Sequence, residues 1–250
     1  MMNQLTTPSM KESKFLSAMI IGLSFIVGAA IFGGLYYEAQ RAAKNDGTLS
    51  VIGSTKSRVT SDQAKIIIAL SRTVLSGELA AGYKGMAADL ASTEGLLKKD
   101  GVAQADINES PVSMTQVYDP NNTGVIRYQL NQTVTLQSSD VNKITDLSKK
   151  VPELASAGVI VSVQALEYYY SKLPEMRVSL LAKAVEDSKA RAEQIAQGTG
   201  RHVGEVQNAS AGVVQVLAPN SVDVSDYGSY DTSSIEKDVM VAVQASFRLK

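Results

Sequence analysis

The chain contains no cysteine, no tryptophan and a single histidine, His202, among its 250 residues. The absence of cysteine excludes disulfides, thiolate catalysis and cysteine-based metal sites. A hydrolase triad needs a positioned base, and a zinc site takes three or four protein ligands, so one histidine argues against both. We expect His202, which follows a predicted helix, to interact with that helix's dipole. Because no block of five or six basic residues is present, no nucleic-acid partner is expected.

Motifs that carry cofactors or metals are also missing. Neither a P-loop nor a G-x-G-x-x-G sequence occurs, so no nucleotide cofactor is predicted. Asp223, Asp226 and Asp231 lie in a Ser-, Asp- and Tyr-rich segment, 218–234, but they lack the spacing of a calcium-binding loop. We interpret this segment as a mobile, solvated loop. The sequence therefore predicts no catalytic residue, no cofactor site and no metal ligand.

One long apolar run is present near the start of the chain. No charged residue occurs from Phe15 to Tyr37. As a helix this run would span about 34 Å, compared with about 30 Å for the hydrocarbon core of a bilayer. It is longer than the apolar region of a cleaved signal, and no A-x-A-like cleavage site follows it. The sequence predicts an uncleaved transmembrane anchor over 15–37, and a cleaved signal is the alternative.

This anchor divides the chain into four predicted segments: a cytoplasmic tail (1–14), the anchor (15–37), a stalk (38–47) and a folded domain (48–250). Positive charges flank both ends of the anchor and barely discriminate its orientation. A short tail before an N-terminal anchor most often stays in the cytoplasm, which places the domain in the periplasm. Within the anchor, the small residues Ala18, Gly22, Ala29 and Gly33 form one helical stripe. Such stripes permit close helix packing in membranes, although glycine and alanine are also simply common there.

Hydrophobic periodicity after residue 48 predicts an α+β domain. From residue 63 to 170 the predicted order is strand, helix, strand, strand, helix, strand, which is the ferredoxin-like βαββαβ order. A strand precedes this core, and a helix and two strands follow it. We expect one largely antiparallel sheet with the helices packed on one face. The predicted helices cover 77–99, 140–156 and 173–200, and the final strands lie in 202–218 and 234–250.

The most unusual short motif is Glu-Tyr-Tyr-Tyr at 167–170. On a strand, Tyr168 and Tyr170 would share one face and Tyr169 would take the other. Tyrosine is enriched at interfaces, so this group is a candidate surface for a glycan or a partner chain. The alternative is that these tyrosines belong to the core and its rim.

Four blocks of sequence carry a resemblance to a known family. They are "LSVIGSTKSRVTSDQAKIII", "GVAQADINESPVSMTQVY", "RYQLNQTVTLQSSDVNKITDL" and "RVSLLAKAVEDSKARAEQIAQGTGRHVGEV". Together they resemble the SIMPL domain family, once called DUF541, over residues 48–250. The resemblance implies an exported or envelope-associated bacterial domain without established enzymatic activity, and it implies oligomers for some members. The sequence departs from the family at "LEYYYSK" and in replacing a cleavable signal with an anchor.

These observations lead to one expected function and two alternatives. We expect a non-enzymatic protein of the bacterial inner membrane, single-pass, whose periplasmic SIMPL-like domain forms a homo-oligomer or binds an envelope protein. One alternative is an extracytoplasmic hydrolase that uses two carboxylates. The other is a module that binds a glycan or small ligand through Tyr168, Tyr169 and Tyr170.

Overall fold

The computed structural model describes the backbone of residues 10–45, 47–118, 124–222 and 225–250. It describes the side chains of the same residues, except that in the first range only 19–40 are covered. The helices are α1 (Met10–Asn45), α2 (Leu79–Lys99), α3 (Val141–Lys150) and α4 (Leu173–Gly198). The strands are β1 (Thr48–Thr60), β2 (Gln63–Leu75), β3 (Ile107–Glu109), β4 (Ser113–Val117), β5 (Arg127–Ser138), β6 (Val161–Tyr169), β7 (Val203–Ala211), β8 (Gln215–Leu217) and β9 (Glu236–Leu249).

The protein is an α+β protein with two sheets, whereas the sequence predicted a single one. One sheet has four strands, in the order β1-β9-β7 with β8 also paired to β9. The other has five strands, in the order β3-β5-β2-β6 with β4 also paired to β5. The single-sheet prediction was wrong because strand alternation shows which residues are buried but does not show which strands pair.

The chain divides into two compact units. The first comprises the N-terminal residues through Val51 together with Lys189–Ala209 and Ala245–Lys250. Its small apolar cluster is formed by Leu49, Val51, Ala192, Val203, Ala245 and Phe247. The second unit comprises Ile52–Ser188 and Ser210–Gln244. It contains the five-stranded sheet, whose strand β6 includes Tyr168 and Tyr169.

In the second unit, α2 and α3 cover the same face of the five-stranded sheet. Strand β2 pairs antiparallel with β5 and β6, its neighbours on either side. Its alternate residues Ala64, Ile66, Ile68 and Leu70 are fully buried. They join one apolar cluster with residues of both helices, including Met86, Leu97, Ile144 and Leu147. Burial of these side chains from water is the main force that holds the helices on the sheet.

A second apolar cluster of this unit contains the first half of α4. Its buried members are Val59, Leu180, Ala184, Val216, Val239, Val241 and Val243. Strand β1 approaches α4 closely at Gly53, where a side chain would overlap the carbonyl oxygen of Ala184 and the backbone nitrogen of Ser188. Ser54 N–H, next in the chain, donates a 2.8 Å hydrogen bond to the Asp187 carboxylate of the helix. Glycine at residue 53 therefore permits this strand–helix contact.

Prolines account for two differences from the predicted boundaries. The helix predicted over 140–156 ends at Lys150 and continues as a 3₁₀ turn, Val151–Ala157. Pro152 cannot donate a backbone hydrogen bond and disfavours α-helical geometry before it, which explains the change. Pro111 lies between β3 and β4, where the sequence predicted one continuous strand, and interrupts the ladder with β5.

Candidate functional site

Helix α1 presents an exposed apolar surface over its described side chains, residues 19–40. Met19–Gln40 is long and apolar enough to cross a membrane, with a mean hydropathy of 2.1, and none of this segment is buried. Phe25 and Phe32 are 77% and 76% exposed. Isolated apolar side chains on a surface are ordinary, but an exposed helix of this length is typical of a membrane span. The helix continues to Asn45, so residues 38–45 of the predicted stalk are helical.

The predicted small-residue stripe of α1 has no partner among the described residues. Apart from the neighbouring backbone of α1 itself, no described atom lies within 4 Å of the position of a Cβ at Gly22 or Gly33. Ala29 is exposed, and the side chain of Ala18 lies outside the described residues. A packing role for the stripe stays a prediction.

The three tyrosines of the 167–170 motif have separate environments. Tyr168 is only 5% exposed and belongs to the main apolar cluster, and its hydroxyl lies 2.9 Å from that of Thr145. Tyr170 is half-buried and packs against the cluster that contains α4. Tyr169 is half-buried, its ring lies 5.9 Å from that of Tyr230, and its hydroxyl donates to Glu167 at 2.9 Å. The structure therefore does not bring the three rings onto one open surface.

The segment 230–235 covers the outer edge of β6 beside these tyrosines. Tyr168 N–H donates to the carbonyl of Thr232 at 2.8 Å, and Tyr170 N–H donates to the hydroxyl of Tyr230 at 2.9 Å. Ser61, which lies between β1 and β2, donates its backbone N–H to the carbonyl of Ile235 at 2.8 Å. A covered edge cannot pair with another strand. This part of the 218–234 segment is therefore tied to the sheet by backbone hydrogen bonds.

The side chain of Lys237 binds the segment 230–235 through hydrogen bonds. Its side chain is fully buried, and its ammonium group donates to the carbonyls of Asp231 at 2.5 Å and Ser234 at 2.7 Å. The same group lies 5.8 Å from the centre of the Tyr230 ring. Burial lowers the pKa of Lys237, and the Asp231 carboxylate opposes that shift. No sequence pattern indicated this residue, because a fully buried lysine is rare.

The carboxylate of Asp231, one of the three aspartates considered as calcium ligands, has other partners. Burial opposes its ionisation. Hydrogen bonds from Ser233 and Ser234 together with the Lys237 cation outweigh burial and hold the pKa of Asp231 well below its usual value. Asp226 is exposed, and Asp223 lies outside the described residues. Among the residues that the structure describes, no group of three histidine, aspartate or glutamate side chains could hold a metal ion.

A second buried carboxylate joins β1 and β9. Asp238 is 2% exposed and accepts from Arg58 Nε at 2.9 Å and from Lys56 Nζ at 3.3 Å. The Arg58 hydrogen bond is the main cause that holds the pKa of Asp238 well below its usual value. Since both cations are half-exposed while the carboxylate is not, this group has the character of a structural ion pair.

One pair of carboxylates has pKa values that are pushed apart, as an acid–base pair requires. A hydrogen bond between Glu94 of α2 and Glu109 of β3 lowers the pKa of Glu94 and raises the pKa of Glu109. Glu94 also accepts from Lys98 and Gln104, each at 3.2 Å. Glu109 is exposed and Glu94 is half-buried, so the pair lies at the surface.

The face of the five-stranded sheet opposite α2 and α3 is open. We use the name "open face" for the central residues of this surface, which come from the neighbouring strands β2 and β5. Each of these residues is half-buried or exposed. They are Ile67, Ala69, Ser71 and Thr73 of β2 and Gln129, Asn131, Thr133 and Thr135 of β5. None is charged. The neighbouring charges are Arg127 at one end and, at the other, Lys65 and Glu167, whose charged atoms lie 3.1 Å apart.

The described cavities are shallow surface features. The larger two measure about 490 and 460 Å³. The first is lined by Arg177, Leu181, Ala211, Gly212, Val213, Val214 and Tyr227. The second lies by the turn from β1 to β2 and includes Ser61, whose buried hydroxyl has no hydrogen-bond partner among the described residues. His202 lies in neither lining; its backbone pairs with that of Lys250.

These features define an α+β protein whose apolar N-terminal helix is long enough to span a membrane. Comparison with protein families agrees with the sequence resemblance: the model of the family SIMPL, described as a protein of unknown function (DUF541), matches residues 49–247. The chain belongs to the SIMPL family. No curated protein matches the chain.

Proposed function

We propose that this protein is a non-enzymatic component of the bacterial cell envelope, held in the inner membrane by α1. Its SIMPL domain would then lie in the periplasm and self-associate or bind envelope proteins. The observation that carries the proposal is the exposure of α1: a long apolar helix that is not covered by any of the described residues needs a lipid environment. Since α1 ends at Asn45 and β1 begins at Thr48, the domain would be held close to the bilayer surface.

Membrane tethering explains how weak contacts between domains would suffice. Copies that share one membrane plane have a raised effective concentration, so that a contact too weak to form in dilute solution can still be populated. Uncharged, open sheet surfaces such as the one on β2 and β5 are available for these contacts.

Orientation can be tested directly because the chain has no cysteine. The variants Ser9→Cys and Ala91→Cys each introduce one thiol, before the helix and on the exposed surface of α2. In spheroplasts, a membrane-impermeant maleimide should label Ala91→Cys at once and Ser9→Cys only after lysis. The reverse pattern would contradict a periplasmic domain.

Self-association requires a separate measurement on the full chain. Light scattering of the detergent-extracted protein, corrected for bound detergent, should give a mass of two or more copies. A single copy at every concentration tested, together with no crosslinking between copies in native membranes, would contradict self-association.

The hydrolase alternative requires two facing carboxylates, and Glu94 of α2 and Glu109 of β3 are the pair that shares a hydrogen bond at the surface. If these residues catalyse hydrolysis, the purified protein should cleave a panel of chromogenic glycosides and esters, and Glu109→Gln should reduce the rate by at least about 100-fold. We expect no turnover by the wild type. Activity that Glu109→Gln abolishes would replace our proposal with this one.

A further inference from the structure

The open face of the five-stranded sheet shares one property with the centre of an interface, which is the lack of charged residues. Solvated sheet faces usually carry charged residues, whereas the centres of interfaces are depleted in them. Here the four central rows, Ile67–Thr135, Ala69–Thr133, Ser71–Asn131 and Thr73–Gln129, carry no charge. The charged residues near this face lie at its ends. The carboxylate of Glu167 forms an ion pair with the ammonium group of Lys65, with 3.1 Å between Oε2 and Nζ.

The chemistry of this face is complementary to itself. Serine, threonine, asparagine and glutamine side chains each both donate and accept hydrogen bonds. A surface made of them can therefore satisfy a second copy of the same surface, which a surface of one charge sign could not do. The alanine, serine and threonine side chains are also short, so two such sheets could approach to the usual separation of about 10 Å.

The area of the sheet is large enough for a stable contact. Strands β2, β5 and β6 contain 13, 12 and 9 residues, and β3 and β4 contain 3 and 5. At about 3.4 Å along a strand and about 4.8 Å between strands, the sheet covers about 700 Å². Stable interfaces bury about 600–1,000 Å² per partner. One sheet face is thus sufficient for a dimer.

We propose that a second copy of this chain packs its own five-stranded sheet against this face, so that two SIMPL domains form a symmetric dimer. The proposal deepens the proposed function and rests on it, because it names the surface through which tethered copies associate. Each copy contributes the same residues, with Ala69 and Thr133 near the centre of the contact.

The test compares two matched substitutions in the full chain. Ala69→Glu places a charge at the centre of the open face, and Ala91→Glu places the same charge on the exposed side of α2. Because each dimer would bury two like charges, Ala69→Glu should weaken association by at least about 100-fold. Ala91→Glu should leave association unchanged. Analytical ultracentrifugation of the detergent-extracted proteins over a range of concentrations measures both values.

Thiol labelling gives a second measurement that does not depend on the folding of a glutamate variant. In Ala69→Cys, maleimide labelling in detergent should be at least about tenfold slower at high than at low protein concentration, because association covers the thiol. In Ala91→Cys the rate should not change. We expect labelling to become slower in Ala69→Cys and not in Ala91→Cys. We also expect Ala69→Glu to dissociate the dimer.

The outcomes separate the two proposals. A wild type that associates while both Ala69 variants behave like their Ala91 controls would overturn the sheet-face interface and leave self-association standing. A wild type that is monomeric in detergent and in membranes would overturn self-association and this interface together.

Discussion

Gly53 lies where β1 presses against α4, and substitution there tests the packing that joins the strand to the helix. In Gly53→Ala the new methyl would overlap the backbone of Ala184 and Ser188 and would lie 2.6 Å from Ser188 Cβ. Backbone atoms cannot move aside as the tip of a flexible side chain can. The strand and the helix must therefore separate.

The expected loss of stability combines two effects. Overpacking of a well-packed core costs about 1–3 kcal/mol. Separation would also weaken the hydrogen bond from Ser54 N–H to Asp187, which is 2.8 Å long, and a hydrogen bond to a charged group contributes about 1.5–3 kcal/mol. We expect Gly53→Ala to destabilise the domain by about 3 kcal/mol, or by roughly 6–12 °C in melting temperature for a chain of this size.

Far-ultraviolet circular dichroism of the detergent-extracted full chain, followed through urea and thermal unfolding, measures this effect. Gly95→Ala is the matched control. Gly95 lies within α2 and has open space around the position of its Cβ, so alanine there should stabilise the helix by up to about 1 kcal/mol. A Gly53→Ala variant within 0.5 kcal/mol of the wild type, roughly the noise of such data, would refute the close contact.

Three further predictions concern buried charge and helix capping, all measured as urea midpoints. Lys237→Met should destabilise the protein by about 3 kcal/mol or more, since it removes the buried cation that holds Asp231; a neutral result would show that the cation contributes no net stability. The depressed pKa of Asp238 means that its contribution is present above its unfolded pKa of about 3.9 and is lost as pH falls further. Asp238→Asn should thus be less stable than the wild type at pH 7, with a difference that shrinks toward pH 2; a constant difference would contradict the assignment. Asp140→Ala should cost about 1 kcal/mol, because Asp140 accepts from Lys143 N–H at 3.0 Å as the N-cap of α3, whereas Asp140→Asn should cost less.

Local features of this fold could be predicted from the sequence because their signals are local. The apolar run from Phe15 to Tyr37 lies within α1, and the helix predicted over 77–99 is observed as Leu79–Lys99. The helix predicted over 173–200 is observed as Leu173–Gly198. In each case the apolar run or periodic pattern ends at glycine or at charged residues.

Long-range features could not be predicted in this way. The five-stranded sheet joins β2 to β5 and β6, and nothing in the strand patterns fixes those partners or separates β1 into the other sheet. Lys237 illustrates the same limit at the level of a site. Its burial depends on the carbonyl groups of Asp231 and Ser234, which both accept from its ammonium group, and charge alone predicts a lysine at the surface.

We infer that α1 remains part of the mature protein and holds it in the membrane. The intact mass of the protein extracted from washed membranes shows whether the mature chain contains α1. We predict a mass that includes all residues from Phe15 to Tyr37, found in the membrane fraction. A mature chain whose first residue lies beyond Tyr37, recovered in the soluble fraction, would contradict it.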